Sequence, residues 1–145
     1  MIRPYQPSDK ETLVEIFKLN TPTYFDPKEV NDFINYIEHQ QDTYLTIERE
    51  GKIVGGTGYS INNQKQSGAI TWIFFHPDYS GMGLGKQAVE HCLNILKQKP
   101  SVKKLVVTTS QFAYQFFGKF GFELIHTKKD FWGPGLDLYE MEMSL

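Results

Sequence analysis

The residues best suited to chemistry are three glycines at alternate positions, Gly81, Gly83 and Gly85, followed at once by Lys86. They lie between an apolar, aromatic-rich run, Trp72-Ile-Phe-Phe-His-Pro77, and a segment whose apolar residues Leu84, Ala88, Val89, Cys92, Leu93, Ile95 and Leu96 recur at helical spacing. Pro77 has no N–H to give a sheet ladder, so the strand ends there. The unit is strand, glycine-rich turn, helix. The first N–H groups of a helix have no partner within it and carry the positive end of its dipole. Glycines let the backbone curl into a nest that admits a phosphate, and Lys86 adds a cation at the rim. The chemistry expected is recognition of a phosphorylated ligand; the plainer alternative is a helix entered through a glycine-rich turn.

Three kinds of phosphate site use such a turn. A P-loop needs Gly, four residues, then Gly-Lys-Ser/Thr, but counting back from Gly85-Lys86 gives Ser80, and the residue after Lys86 is Gln87. A dinucleotide fingerprint fits loosely as Gly83-x-Gly85-x-x-Ala88, yet the acidic residue expected about twenty positions on is missing. No Asp or Glu occurs between Glu90 and Glu123. The third kind fits. Ser80-Gly81-Met82-Gly83-Leu84-Gly85, after a strand ending in His-Pro, resembles the coenzyme A pyrophosphate motif of the GNAT superfamily of N-acetyltransferases, Arg/Gln-x-x-Gly-x-Gly/Ala, with Ser80 replacing the Arg or Gln. Ser110-Gln-Phe-Ala-Tyr-Gln-Phe-Phe-Gly-Lys-Phe-Gly121-Phe122 is similar to the same superfamily's Asn-x-x-Ala-x-x-Leu-Tyr-Glu-Lys-x-Gly-Phe.

The resemblance implies an acyltransferase that uses acetyl-CoA as cosubstrate. It would acetylate a primary amine of a small molecule or peptide by direct attack in a ternary complex. Ser80, Gly81, Met82, Gly83, Leu84, Gly85 and Lys86 would hold the pyrophosphate, and main-chain groups of Ile73, Phe74 and Phe75 the pantetheine arm and thioester carbonyl. Ser110 stands where the superfamily's Asn meets that arm. Phe117 replaces the Tyr that protonates the leaving thiolate; Tyr114, one turn earlier on nearly the same face, is then either the substitute acid or a half-buried packing residue. Residues 64 to 77 contain no carboxylate to serve as base; His76, Asp137 and Glu140 are the candidates, and water is another. The acceptor would lie between residues 21–26 and 129–135, against Tyr24, Phe25 and Trp132, unless those aromatics are ordinary loop anchors. The alternative is a catalytically weak coenzyme A-binding sensor or interaction module.

The elements that must position these residues follow in order. Residues 1 to 5 read as a strand, and Ser8-Asp-Lys-Glu11 as a capping box before the stripe Leu13, Val14, Ile16 and Phe17. Asp26-Pro27-Lys-Glu29 starts a second helix with Val30, Phe33, Ile34 and Ile37 on its buried face. Residues 44 to 49 and 52 to 60 form a hairpin around Glu50-Gly51, with Gly55, Gly56 and Gly58 marking a bulge or a close approach of backbone. Residues 69 to 75 make the strand before the glycine turn, and residues 105 to 109 a buried parallel strand. Ser110 caps a short helix through Phe117, and strands over 122–127 and 136–143 are joined by residues 128–135. The order β-α-α-β-β-β-α-β-α-β-β is that of the GNAT fold: α/β (α+β), with a mixed, mostly antiparallel sheet of about seven strands.

Length and composition agree. The 145 residues, 40% apolar and 14% aromatic, suit one domain over residues 1–145 with a full core. A formal charge of −2 gives no global pull toward nucleic acid or an anionic membrane, and neither partner is expected. The lone Cys92 falls on an apolar helix stripe, so no intramolecular disulfide and no acyl-enzyme are expected. His39, His91 and His126 lack metal-ligand spacing, and no metal is expected. Met1-Ile-Arg-Pro leads straight into polar sequence, so the expectation is a cytoplasmic monomer or homodimer.

Overall fold

The computed structural model describes residues 1–39 and 42–145. Its elements are β1 (Ile2–Pro4), α1 (Lys10–Leu19), α2 (Glu29–Glu38), β2 (Thr43–Arg49), β3 (Lys52–Asn62), β4 (Ser67–Phe75), α3 (Leu84–Lys97), β5 (Lys104–Thr109), α4 (Tyr114–Gly118), β6 (Glu123–Gly133) and β7 (Leu136–Ser144). The seven strands form one sheet in the order β1-β2-β3-β4-β5-β7-β6. All pairings are antiparallel except β4 with β5. This is the element order and mixed sheet expected from the sequence.

Alternation along the strands gives each helix layer its own core. On one face α1 and α2 bury Leu13, Phe17, Phe33 and Ile37 against Tyr44 and Phe74. On the other, α3 buries Val89, Cys92 and Leu96 against Leu105, Val107 and Met141. Gly55, Gly56 and Gly58 do mark close approach: a Cβ on Gly56 would lie 2.5 Å from the Tyr44 hydroxyl, and one on Gly58 2.6 Å from the Thr71 hydroxyl.

Three local expectations need correction. The first helix is entered through a 3-10 turn, Pro7–Asp9, and Asp9 rather than Ser8 does the capping, accepting the Gln6 N–H at 2.9 Å. The fourth helix starts at Tyr114, not just after Ser110, because Ser110 closes a turn of its own in which its Oγ accepts the Phe112 N–H at 3.3 Å. The connection proposed over residues 128–135 is mostly strand. β6 runs to Gly133 through an irregularity at Asp130 (φ 53°), leaving only Pro134 and Gly135 as the turn.

Asp9 is also an electrostatic anchor. Its carboxylate takes a bidentate pair from Arg3 at 2.8 and 2.9 Å and a bond from the Thr46 hydroxyl at 2.9 Å. The Arg3 guanidinium holds the Asp9 carboxyl below the usual range. A depressed carboxylate stabilises the fold above its unfolded pKa, near about 4, and loses that contribution as pH falls through the lower folded value. Thermal melts between pH 7 and pH 2 should therefore show Tm dropping at the acid end. Asp9→Asn should flatten that drop and cost roughly 3 kcal/mol at neutral pH, the scale for removing one partner of a buried pair.

Candidate functional site

The site begins where the sheet stops being continuous. β4 and β5 pair only over Ser67–Ala69 with Lys104–Val106. Beyond that, β4 continues to Phe75 and β5 to Thr109 with no ladder between them, so parallel neighbours part into a gap. Main-chain groups facing the gap have no strand partner. The His76 N–H bonds the Val54 carbonyl on β3 at 2.8 Å. Successive residues of a strand aim their main-chain groups to opposite sides, so those of Phe75 and Ile73 face the gap.

β4 is also bulged. Gly58 pairs with Thr71 and Gly56 with Phe74, so two steps on β3 match three on β4, and Trp72 takes φ 47°. A non-glycine residue there carries roughly 1–3 kcal/mol of strain, a cost the surroundings must offset. Trp72 is wedged among Phe17, Phe33 and Tyr36, at 5.8, 5.6 and 5.8 Å between ring centroids. The Tyr44 hydroxyl donates to the Trp72 carbonyl at 2.9 Å, and burial pushes that phenol well above its ordinary pKa, so it stays a donor.

At the end of β4 the chain turns through Pro77–Tyr79 into the glycine stretch. His76 caps this turn, its Nδ1 accepting the Asp78 N–H at 3.1 Å. Gly81 and Gly83 take φ 81° and 77°, the left-handed region that favours glycine, and Gly83 is the residue before α3. The first bond of α3 is from Gln87 N–H to Gly83 O at 3.1 Å. Among the described residues, no acceptor meets the N–H groups from Gly81 to Lys86. No atom lies within 4 Å of a Cβ built on Gly81 or Gly83, and both residues are exposed. Gly85 differs: a Cβ there would lie 3.0 Å from the Phe116 ring, making it a packing glycine in the first turn of α3. Ser80 and Met82 are exposed, Leu84 is buried, and Lys86 is 72% exposed with a loose 4.0 Å approach to Glu90.

The short α4 sends its aromatic residues three ways. Phe116 leans on Gly85 of α3. Phe117, 3% exposed, points into the core beside Phe122. Tyr114 stacks on Tyr139 of β7 at 4.7 Å and lines a groove with Phe122, Leu124 and Met141. The Phe117 ring is thus core, and any part it plays toward a ligand is support from beneath. Ser110 is buried; its oxygen already accepts the Phe112 N–H, which leaves its proton to donate.

Opposite the glycine turn, two connections flank the gap. Asn20 organises the first: its carbonyl accepts the Tyr24 and Phe25 N–H groups, and its Nδ2 donates to Ile16 O and to Phe75 O, both at 3.0 Å. Phe25 packs on Phe17 at 4.5 Å, while Tyr24 is 48% exposed. On the second, the Trp132 indole donates to Thr109 O at 3.0 Å, holding the hairpin against the end of β5. Gln111 reinforces it, donating to Gly135 O and accepting from Asp137 N–H. The two connections touch where the Asp26 carboxylate abuts Gly133. Asp137 Oδ1 is occupied by the Asp130 N–H, and Glu140 lies in register with Thr108 and His126. Sequence reasoning missed Tyr44, Asn20 and Gln111. Only Asn20, directly after a helical stripe, gave any local signal.

A sheet parted between its parallel strands, with a bulge on one and an open N-terminal nest beyond it, defines an acyltransferase of the GNAT fold. The chain matches the Acetyltransferase (GNAT) family over residues 11–122 and belongs to it. It is 26% identical over 129 residues to N-alpha-acetyltransferase 50 of Danio rerio, spanning 87% of this chain and 76% of that protein. Its fold superposes on the ribosomal-protein-S18-alanine N-acetyltransferase of Escherichia coli with a TM-score of 0.81, at 15% identity and over 99% and 92% of the two chains. An aminoglycoside 6'-N-acetyltransferase complexed with coenzyme A gives 0.78 at 10% identity, over 99% and 96%. Among the described residues no helix is long and apolar enough to cross a membrane.

Proposed function

We propose that the protein transfers acetyl from acetyl-CoA to a primary amine of a small molecule or peptide, by direct attack in a ternary complex. One observation carries this: among the described residues, main-chain groups that no strand pairs across the β4–β5 gap continue into N–H groups from Gly81 to Lys86 that no acceptor meets. A pantetheine arm linked to a pyrophosphate needs that sequence of partners. The pyrophosphate takes the nest and Lys86, the arm lies along Ile73–Phe75, and Ser110 donates to it. The acceptor enters beside Tyr24, Phe25 and Trp132. An N-alpha-acetyltransferase, a ribosomal-protein-S18-alanine N-acetyltransferase and an aminoglycoside 6'-N-acetyltransferase are all similar to the chain, so the acceptor class is kept at primary amines.

The amine lone pair attacks the thioester carbonyl carbon, and the oxygen gathers negative charge that gap-facing N–H donors stabilise. The C–S bond then breaks, the thiolate takes a proton, and the nitrogen gives one up to water or a nearby base. Tyr114 is the sole hydroxyl on α4 and is assigned as the thiolate's proton donor. A thiol-release assay across amines, amino acids and peptides tests the function. Acceptor-dependent release supports it, and coenzyme binding without release for any acceptor identifies a sensor instead.

Cys92 takes no part. It is fully buried, and burial pushes its thiol up to about 11, so little thiolate exists at neutral pH. Incubation with radiolabelled acetyl-CoA should leave the protein unlabelled, and Cys92→Ala should keep turnover within about threefold while costing some stability.

A further inference from the structure

The Trp72–Ile73 peptide joins two observations. Its carbonyl is held by the Tyr44 hydroxyl at 2.9 Å, and alternation along β4 from His76, whose N–H bonds β3, turns its Ile73 N–H toward the β4–β5 gap. A trans peptide is planar, with C=O and N–H pointing in opposite directions. A donor fixed on the oxygen therefore fixes the aim of the hydrogen. It also polarises the unit, making the N–H a stronger donor.

Tyr44 is built for this position. It lies on β2, two strands away from β4 in the sheet order, and reaches across β3 only because Gly56 has no side chain in its way. A Cβ on Gly56 would sit 2.5 Å from the Tyr44 hydroxyl. The ring is 2% exposed and clamped by Phe33 and Tyr36 at 5.8 and 5.9 Å. Tyr36 supplies the contrast. Its hydroxyl is likewise buried and lies beside the Thr71 hydroxyl near the same bulge, but among the described residues it bonds no main-chain group there. One buried phenol grips the bulge and its neighbour does not.

We propose that Tyr44 is a positioning residue for acyl transfer: through the Trp72 carbonyl it aims the Ile73 N–H at the thioester oxygen of bound acetyl-CoA. The proposal rests on the coenzyme reading above and adds a residue no ligand touches. Without the hydroxyl, the strained bulge at Trp72 loses its external anchor and the donor drifts from its acceptor.

The test uses the intact protein and acetyl-CoA labelled with carbon-13 at the thioester carbonyl, observed by NMR with and without protein. The wild type should move the carbonyl resonance downfield on binding, as a hydrogen-bonded carbonyl does. Tyr44→Phe should remove at least half of that displacement and slow turnover about tenfold, between the loss of an ordinary hydrogen bond and of a whole oxyanion donor. Affinity for coenzyme A, which lacks the carbonyl, should stay within about twofold, so a general loss of structure is distinguishable. Tyr36→Phe, which deletes the neighbouring buried hydroxyl that grips no main-chain group of the bulge, should leave the displacement unchanged. An unaltered displacement in Tyr44→Phe, or an equal loss in Tyr36→Phe, overturns the role of Tyr44 while leaving coenzyme binding intact. A wild type that binds neither acetyl-CoA nor coenzyme A overturns both.

Discussion

Gly83→Asp should abolish coenzyme binding in a protein that still folds. Gly83 has φ 77° and no atom within 4 Å of where a Cβ would stand, so the new carboxylate starts in open space on the turn whose N–H groups meet no acceptor among the described residues. The conformational cost is about 1 kcal/mol, less than for most residues because Asp tolerates the left-handed region. For a domain of this size that lowers Tm by only a few degrees. The cost to binding is larger. A charged group seated among the N–H donors from Gly81 to Lys86 takes the place of the pyrophosphate and repels it. Charge-assisted hydrogen bonds contribute about 1.5–3 kcal/mol each, so losing two weakens acetyl-CoA at least about a hundredfold. Calorimetry on wild type, Gly83→Asp and Gly83→Ala checks this. Gly83→Ala carries the backbone strain without the charge and should keep most of the affinity. Equal losses in the two variants would mean that φ, not phosphate recognition, is what Gly83 supplies.

Tyr114→Phe should reduce turnover by about a hundredfold where chemistry limits the rate, since general-acid help is commonly worth two to four orders of magnitude. The change keeps the ring and its 4.7 Å stack on Tyr139, so folding and coenzyme affinity should hardly move. The reading is strict because the usual alternative is closed. Phe117 is 3% exposed beside Phe122, and Phe117→Tyr would bury a hydroxyl in the core, destabilising the protein without supplying an acid at the gap. A fall of less than threefold in Tyr114→Phe, with single-turnover kinetics showing chemistry to be limiting, would make Tyr114 a residue that only packs α4 against β7. The thiolate would then take its proton from water.

Much of the scaffold was legible because it rests on local signals. Asp26-Pro27-Lys-Glu29 reads as a helix start, and in the structure the Asp26 N–H does bond Glu29 and the Lys28 N–H does bond Asp26. The spacing from Leu84 to Leu96 gives the α3 face that packs on β5. Lys104–Thr109 reads as buried parallel strand, and its first residues do pair with β4 in parallel. What stayed hidden depends on register between distant strands. Nothing in Ala69 to Phe75 announces that Trp72 will bulge, because the slip exists only against Gly56 and Gly58. Tyr44 looks like any inward-facing strand residue; its role appears only once Gly56 is seen to leave its hydroxyl room. On α4 the resemblance supplied the residue types but not the helix phase, which turns Phe117 to the core, Phe116 to α3 and Tyr114 to β7. Trp132 was legible as an aromatic of its connection, but not as the donor that ties its hairpin to Thr109.

The central claim is that the β4–β5 gap and the nest at the start of α3 form one binding site for coenzyme A. Titration of nitrogen-15-labelled protein with coenzyme A, followed through its backbone amide resonances, tests it most directly. The account predicts the largest shifts at the N–H groups of Gly81 to Lys86, with Ile73, Phe75 and Ser110 moving at the same ligand concentrations. Saturable shifts confined to another face, such as the cleft between Tyr5, Lys10 and Glu38, with the glycine turn unmoved, would contradict it.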